Sequence, residues 1–454
     1  MRPPDAEPPG REAHTSRPPE ERARLAVEAA WRIEWPRLVA GLTRIAGDMG
    51  TAEELAQDAL VAALEQWPRD GVPPNPGGWL MLTAKHRAID RIRRDATFAR
   101  KLELLGHQLR IDEHGPRADA FGDDPAASAV SATDEGDAFD DLLRMMFTAC
   151  HPVLTPPARA ALTLRMVGGL STGEIARAYV ISESTVAQRI VRAKRTIADS
   201  GVKYEVPRGA ELAARLDSVL EVIYLIFNEG YTATAGDRWV RTELCEDALR
   251  LARILTGLLP DEPEAHGLAA LLELQASRLQ ARHGTANEPV LLADQDRAHW
   301  NGLYIRRGFA ALGRAHALNR AQGRPPGRYA LQAAIATVHA MAPTAADTDW
   351  RRIAGLYAVL AERFPSPIVE LNRAVAVAML HGPAAGLELA DKAAQSGALD
   401  GYHLLHAVRG DLLARLDRGP EARAAFLRAA ELTGNSTEQA LLTGRAEQIH
   451  SKDE

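Results

Sequence analysis

The chain has 454 residues, Lys+Arg 54 against Asp+Glu 60, 46% hydrophobic, 25% charged and 5% aromatic residues, and Cys 2. That length leaves room for two or three domains with sizeable cores, and the composition is that of a folded, soluble chain. No apolar run reaches the roughly 20 residues that span a bilayer, and Cys150 and Cys245 stand far apart in no C-x-x-C pair, which suggests neither a disulfide framework nor a metal site and fits a reducing cytoplasm.

Residues 1–24, opening MRPPDAEPPGREAHTSRPPEE, are Pro-rich and polar without an apolar core segment, so they read as a disordered tail and not as a signal peptide. From Ala26 to about Arg100 the pattern is helical. It breaks at Gly47-Asp48 and at PRDGVPPNPGG (68–78), where proline and glycine forbid a regular helix, so three or four helices make a first domain over 25–105. In AEELAQDALVAALEQW (52–67), Leu55, Ala59, Leu60 and Leu64 can pack inward while Glu54, Gln57 and Asp58 face a basic partner. The helix WLMLTAKHRAIDRIRRDATFARK (79–101) carries an apolar stripe of Trp79, Leu82, Ile89 and Ile92, and Lys85, His86, Arg87, Arg91, Arg93 and Arg94 crowd its other sides.

Residues 106–137 lose periodicity and gain acid, which predicts a linker. Helical period resumes at FDDLLRMMFTAC and runs to about Asp199, giving a second small helical domain over 138–200. Within it, LSTGEIARAYVISESTVAQRIVRAKRTI (170–197) places Ile175, Ala176 and Tyr179 on one short helix and Val186, Ile190, Ala193 and Ile197 on another, with Val180-Ile181 between. Ser171 or Thr172 before Glu174, and Ser182 at the second start, are N-caps, and the short turn gives helix-turn-helix spacing. Opposite the apolar stripe, the second helix carries Ser184, Thr185, Gln188, Arg189, Arg192 and Arg195. Small hydroxyls followed by amide and guanidinium donors suit a helix entering a major groove end-first. A solvated helix face is the bland alternative. Cys150-His151 ends a helix before Pro152 and does not build a nucleophile, since adjacent side chains on a helix point apart.

Residues 208–454 are helix and short turn throughout, so the whole chain is all-α. LEVIYLIF (220–227) is too short to cross a membrane and reads as a buried helix. Ala374, Val377, Gly386, Ala390 and Ala393 are echoed 36 residues later by Gly410, Leu413, Ala422, Phe426 and Ala429, close to tetratricopeptide spacing. Such an array presents a concave surface to a protein or peptide. DQDRAHW (294–300) and NEGYTA (228–233) show no metal-ligand spacing, nucleophile elbow or phosphate loop, and Asp294 and Asp296 suit helix capping, so no cofactor and no catalysis are expected.

Together AEELAQDALVAALEQW, PNPGGWLMLTAKHRAIDRIRR (74–94) and LTPPARAALTLRMVGGLSTGEIARAYVISESTVAQRIVRAKRTI (154–197) resemble regions 2 and 4 of the extracytoplasmic-function sigma factors, in the family's order. RLDSVLEVIYLIFNEGYTATAG (215–236), LLADQDR (291–297) and SPIVELNRAVAVAMLHG (366–382) resemble the large C-terminal extension of one subgroup. The resemblance implies a promoter-specificity subunit whose partners are core RNA polymerase and promoter DNA. It places Glu53, Glu54, Leu55, Gln57, Asp58 and Val61 against the polymerase clamp. It places the Gly71–Gly78 loop, Trp79, Lys85, His86, Arg87, Asp90, Arg91, Arg93 and Arg94 at the −10 element, where a flipped base exchanges a few kcal/mol of stacking and pairing for protein contacts. Many members have asparagine where this chain has His86, and a histidine offers a different hydrogen-bonding pattern. Ser184, Thr185, Gln188, Arg189 and Arg192 fall on the −35 element, with Lys194 and Arg195 at phosphate. By the resemblance, the acidic linker is expected to thread basic polymerase channels, where its carboxylates mimic phosphate, with a plain solvated tether as the alternative. The extension is expected to act as a built-in regulator. A stand-alone helix-turn-helix regulator with a repeat sensor, and an enzyme with a DNA-binding accessory, are the competing readings; neither explains the region 2 motifs.

Overall fold

The computed structural model describes residues 19–108, 135–179, 181–284, 288–395 and 397–453; residues 1–18 of the tail expected over 1–24, residues 109–134 of the linker expected over 106–137, and Val180 lie outside them. Among the described residues the regular structure is helical except for short 3₁₀ turns, an isolated bridge and a pair of two-residue strands. The chain divides into two compact units, 1–142 and 143–454.

In the first unit, α1 (Pro19–Ala46), α2 (Met49–Asp70) and α3 (Pro76–Gln108) share a core built from Trp35, Leu38, Val39 and Leu42 of α1, Ala52, Leu55, Ala56 and Ala59 of α2, and Leu80, Ala84 and Ala88 of α3. α1 begins inside the span expected as tail, and α3 runs past the expected linker start. Gly47, at φ 74, ends α1, and the Asp48 carboxylate then accepts from Thr51 N–H at 2.6 Å to cap α2. The expected helix-free loop over 68–78 is shorter in the structure. Pro68 sits in the last turn of α2, and Pro76 opens α3, where its missing N–H would have had no intrahelical partner. The apolar stripe of α3 is also rotated from the expected one: Leu80, Ala84 and Ala88 are buried, while Leu82 is 56% exposed. Small alanines let α3 approach α1 and α2 closely, and the larger Ile89 and Ile92 stay half-buried at the edge.

α4 (Glu135–Ala149) runs across the boundary at 142/143, and in the second unit α5 (Pro156–Met166), α6 (Thr172–Tyr179) and α7 (Glu183–Asp199) are followed by α8 (Ala210–Tyr231), α9 (Thr242–Leu258) and α10 (Pro263–Ala276). These lead into α11 (Gly302–Ala321), α12 (Arg328–Met341), α13 (Trp350–Arg363), α14 (Pro367–His381), α15 (Pro383–Ala394), α16 (His403–Ala414), α17 (Gly419–Leu432) and α18 (Ser436–Asp453). The LEVIYLIF segment lies in α8 with Leu220, Val222, Ile223, Ile226 and Phe227 buried, and no described helix is long and apolar enough to cross a membrane.

The 36-residue repeat corresponds to the helix pairs α14–α15 and α16–α17, which exchange volume between positions. In the first pair a Cβ on Gly386 would stand 2.4 Å from the Ala378 Cβ; in the second, Gly410 lies under the Phe426 ring, where a Cβ would meet ring carbons at 2.8 Å. Gly386→Val is therefore expected to destabilise the second unit by about 1–3 kcal/mol through overpacking, read as an earlier thermal transition with unchanged helicity.

The array also closes on itself. Ala235–Gly236 (β1) pairs in parallel with Gly434–Asn435 (β2). The Asn435 amide donates to the carbonyls of Ala233 (3.2 Å) and Arg238 (2.9 Å), and the Thr437 hydroxyl to that of Asp237 (2.6 Å). A clasp between residues about 200 apart in sequence ties the start of the extension to its last helix, where the repeat pattern alone predicts an open concave surface.

Candidate nucleic-acid interface

The helix-turn-helix is built as its caps require. Ser171 and Glu174 form a reciprocal capping box: Glu174 N–H donates to Ser171 Oγ at 3.2 Å, and the Glu174 carboxylate accepts from Ser171 N–H at 2.8 Å. Ser182 Oγ accepts from Thr185 N–H at 3.2 Å, and the Thr172 hydroxyl donates to Glu183 at 2.8 Å across the turn, holding α6 against the start of α7. Val186, Ile190, Ala193 and Ile197 are buried with Ile175 and Ala176. The opposite face presents Ser184, Thr185, Gln188, Arg192 and Arg195 to solvent. Arg189 and Lys194 are half-buried, and Arg195 pairs with Asp199 at 3.3 Å. The expected groove face is thus one contiguous exposed surface, with Arg189 at its margin.

α5 lies beneath this motif, and residues 159–166 are buried all round. One side faces α7, and the other is covered by α8 of the extension. Arg159 donates to Ser218 and Glu221, Ser218 Oγ–H donates to the Cys150 carbonyl at 2.5 Å, and Arg215 donates to the Phe147 carbonyl at 2.9 Å. Arg241, 4% exposed, reaches the Ala178 carbonyl at the end of α6 while pairing with Glu229 and bonding the Ala235 carbonyl in β1. Arg250 reaches the Gly168 carbonyl. None of these docking arginines is legible in the sequence, since buried arginines aimed at backbone carbonyls leave no periodic signal. Residues 143–200 and the extension, expected to lie in separate domains, pack within one compact unit. The Cys150 thiol is pushed up to about 12 by burial, against a weaker lowering by its bond to Thr163, so it stays protonated and inert. Asp296 caps the turn at Arg297–His299 by accepting from Ala298 N–H at 2.9 Å, the capping use expected for it.

In the first unit, Glu54, Gln57, Asp58 and Val61 share the exposed face of α2, whereas Leu55 and Glu53 point inward and do not join it. The exposed carboxylates meet the basic helix: Arg91 Nη1 stands 2.8 Å from Glu54 and Arg87 Nη1 3.7 Å from Asp58. His86, Asp90, Arg93 and Arg94 are exposed, and Lys85, Arg87 and Arg91 half-buried. Trp79, at the start of α3, packs edge-on to Trp67 at 5.5 Å, and Asn75 caps that helix through Gly78 N–H at 2.9 Å. The loop, Trp79 and the basic residues expected at the −10 element therefore lie along one helix and its entry.

Models of known families match in the order of these elements: Sigma-70 region 2 over residues 34–97, Sigma-70 region 4 over 144–197, and a family of unknown function, DUF6596, over 215–316. An uncharacterized protein of Rhizobium meliloti is 40% identical over 407 residues, 90% of this chain and 92% of that one. The ECF RNA polymerase sigma factor SigK of Mycobacterium tuberculosis is 30% identical over 34% of this chain and 74% of its own length, and the probable ECF sigma factor SigI of the same species is 28% identical over 43% and 67%. Among solved structures, yeast Tom70 overlaps 96% of this chain and 85% of that one at TM-score 0.35 and 10% identity, too loosely to bear on function. With both sigma regions in sequence and a 30% identical relative covered over 74% of its length, the chain belongs to the extracytoplasmic-function RNA polymerase sigma factors.

Proposed function

We propose that the protein binds core RNA polymerase through the exposed face of α2, recognises the −35 element with α7, and engages and opens the −10 element with the 71–78 loop, Trp79 and the basic helix α3. The observation that carries this reading is the contiguous exposed face of Ser184, Thr185, Gln188 and Arg192 on a capped helix whose other face is buried. Donors on a helix end reach base edges, while Lys194 and Arg195, further along, suit phosphate. In the first unit the exposed His86, Arg93 and Arg94 supply cationic and stacking contacts to an unpaired strand. The family is one of transcription factors, not enzymes, so the chemistry remains with polymerase. The extension, docked on region 4 through Arg159, Arg215, Arg241 and Arg250, controls how region 4 is presented to DNA.

Run-off transcription with core polymerase on the chain's own upstream promoter tests the assignment. Gln188→Ala and Arg192→Ala are expected to change −35 base preference at a cost of about 1–3 kcal/mol at one position, whereas Lys194→Ala weakens binding to every sequence alike and flattens the salt slope. Equal behaviour of all three variants on scrambled −35 sequences would remove α7 from the groove. DNA binding without any response to core polymerase would instead favour a stand-alone regulator.

A further inference from the structure

The extension contains a ladder of alternating cations and aromatic rings. Arg297 stacks on Trp300 at 5.0 Å, Arg278 lies over Trp300 at 5.6 Å and over Tyr231 at 5.9 Å, and Arg282 lies over Tyr231 at 3.8 Å and Trp239 at 5.6 Å. These residues come from the end of α8, the β1 loop, the 3₁₀ turn after α10 and the turn before α11, segments that the closed array brings together. Arg278 is 7% exposed, Arg282 9% and Trp300 7%.

Aromatic faces compensate a cation only in part, and buried charges are otherwise paired. Here the hydrogen bonds go to neutral oxygens: Arg297 donates to the carbonyls of His339 and Ala342 and to Thr348, Arg282 to the Tyr231 carbonyl and Thr232, and Arg278 to Gln275. Among the described residues no carboxylate stands in ion-pair contact with any of the three guanidinium groups, and Asp347 attracts Arg297 only from further away. The ladder also gathers buried donors without a hydrogen-bond partner: Arg282 Nε, Arg297 Nε, Trp239 Nε1 and Trp300 Nε1. The same field is felt by His339, whose pKa falls to about 4 through burial first and then through Arg278 and Arg297. Tyr231, Trp239, Tyr357 and His339 are half-buried, and Arg297 is the least buried of the three arginines.

We infer that Arg278, Arg282 and Arg297, walled by Tyr231, Trp239 and Trp300, form a binding site in the extension for a small multivalent oxyanion bearing phosphate or carboxylate groups. Guanidinium forks match either group bidentately, and the indole N–H donors add directional bonds to the same acceptor. A ligand of at least two negative charges balances a ladder that the protein itself leaves cationic. The binding does not depend on how the extension affects promoter use and is measured without polymerase.

The test is thermal unfolding and calorimetric titration of the full-length protein with pyrophosphate, with citrate, and with sodium chloride at matched ionic strength. A saturable rise of on the order of a few °C is expected with at least one oxyanion and not with chloride; response to pyrophosphate alone assigns phosphate, and to citrate alone carboxylate. Arg278→Met removes an unpaired buried charge, so its ligand-free transition is expected at the same or a higher temperature, with affinity for the oxyanion reduced about tenfold or more. Should that variant not fold, Arg278→Lys, which keeps the charge and loses the fork, must still weaken affinity. Absence of any rise beyond the chloride control, or unchanged affinity in the folded Arg278 variant, overturns the site.

Discussion

Glu54→Lys together with Asp58→Lys is expected to weaken assembly with core RNA polymerase by about tenfold or more, with little loss of fold. Both side chains are exposed on α2, and their partners Arg91 and Arg87 lie on α3. Exposed ion pairs contribute about 0–1 kcal/mol, so a basic partner can displace these arginines at small cost. Displacement would hand Arg87 and Arg91 over to DNA phosphate, which couples the two proposed surfaces of the first unit. The reversal also sets lysine beside arginine, so the neutral pair Glu54→Gln and Asp58→Asn is the proper companion; it should show an intermediate loss without like-charge repulsion. Co-elution with core polymerase and circular dichroism read the two quantities separately. Undiminished co-elution of the reversed variant would exclude this face of α2 from the contact.

A chain ending at Val202 is expected to lose the stability of region 4, because the extension supplies part of its core. Leu162, Leu164 and Met166 are fully buried on α5, a helix buried on every side, so covering it takes α7 on one flank and α8 on the other. Returning large apolar side chains to water costs about 1.5–3 kcal/mol each, so exposing two or three of them removes much of a small domain's total stability of about 5–15 kcal/mol. Thermal melting and limited proteolysis of the truncated chain should therefore show the first unit intact and residues 143–200 readily cleaved, with −35 binding lost. A covalently tethered but separate regulator would leave region 4 melting as it does in the full chain. The two outcomes distinguish a docked extension from an appended one, and a promoter assay on truncations is informative only after this one.

The motifs, caps and repeat were legible because they depend on residues close in sequence. Ser171 with Glu174, and Ser182 with Thr185, satisfy orphan backbone donors within one turn, so their capping follows from spacing alone. The stripe Val186, Ile190, Ala193 and Ile197 repeats at helical period, and turning it inward leaves the groove face outward. The repeat over 374–429 was visible for the same reason, as was the order of regions 2 and 4. Proline and glycine mark a shorter interruption than their number suggests, because Pro68 and Pro76 are tolerated at a helix end and a helix start. The buried stripe of α3 runs through Ala84 and Ala88, small enough for close helix contact, and not through the larger apolar residues that dominate the pattern. Glu53 and Leu55 belong to the quoted motif but face inward, a distinction that a motif does not make.

What the sequence determined by itself is therefore local: the all-α class, the helix-turn-helix with its caps and exposed donors, and the family they identify. Tertiary structure decided everything that joins distant segments. It set region 4 on the extension through Arg159, Arg215 and Arg241, closed the array by pairing Ala235–Gly236 with Gly434–Asn435, and stacked Arg278, Arg282 and Arg297 between aromatic rings. The reason is physical: a hydrogen bond from a buried arginine to a carbonyl some 70 residues away satisfies a backbone group that any residue could present, so neither partner leaves a mark in its own stretch of sequence.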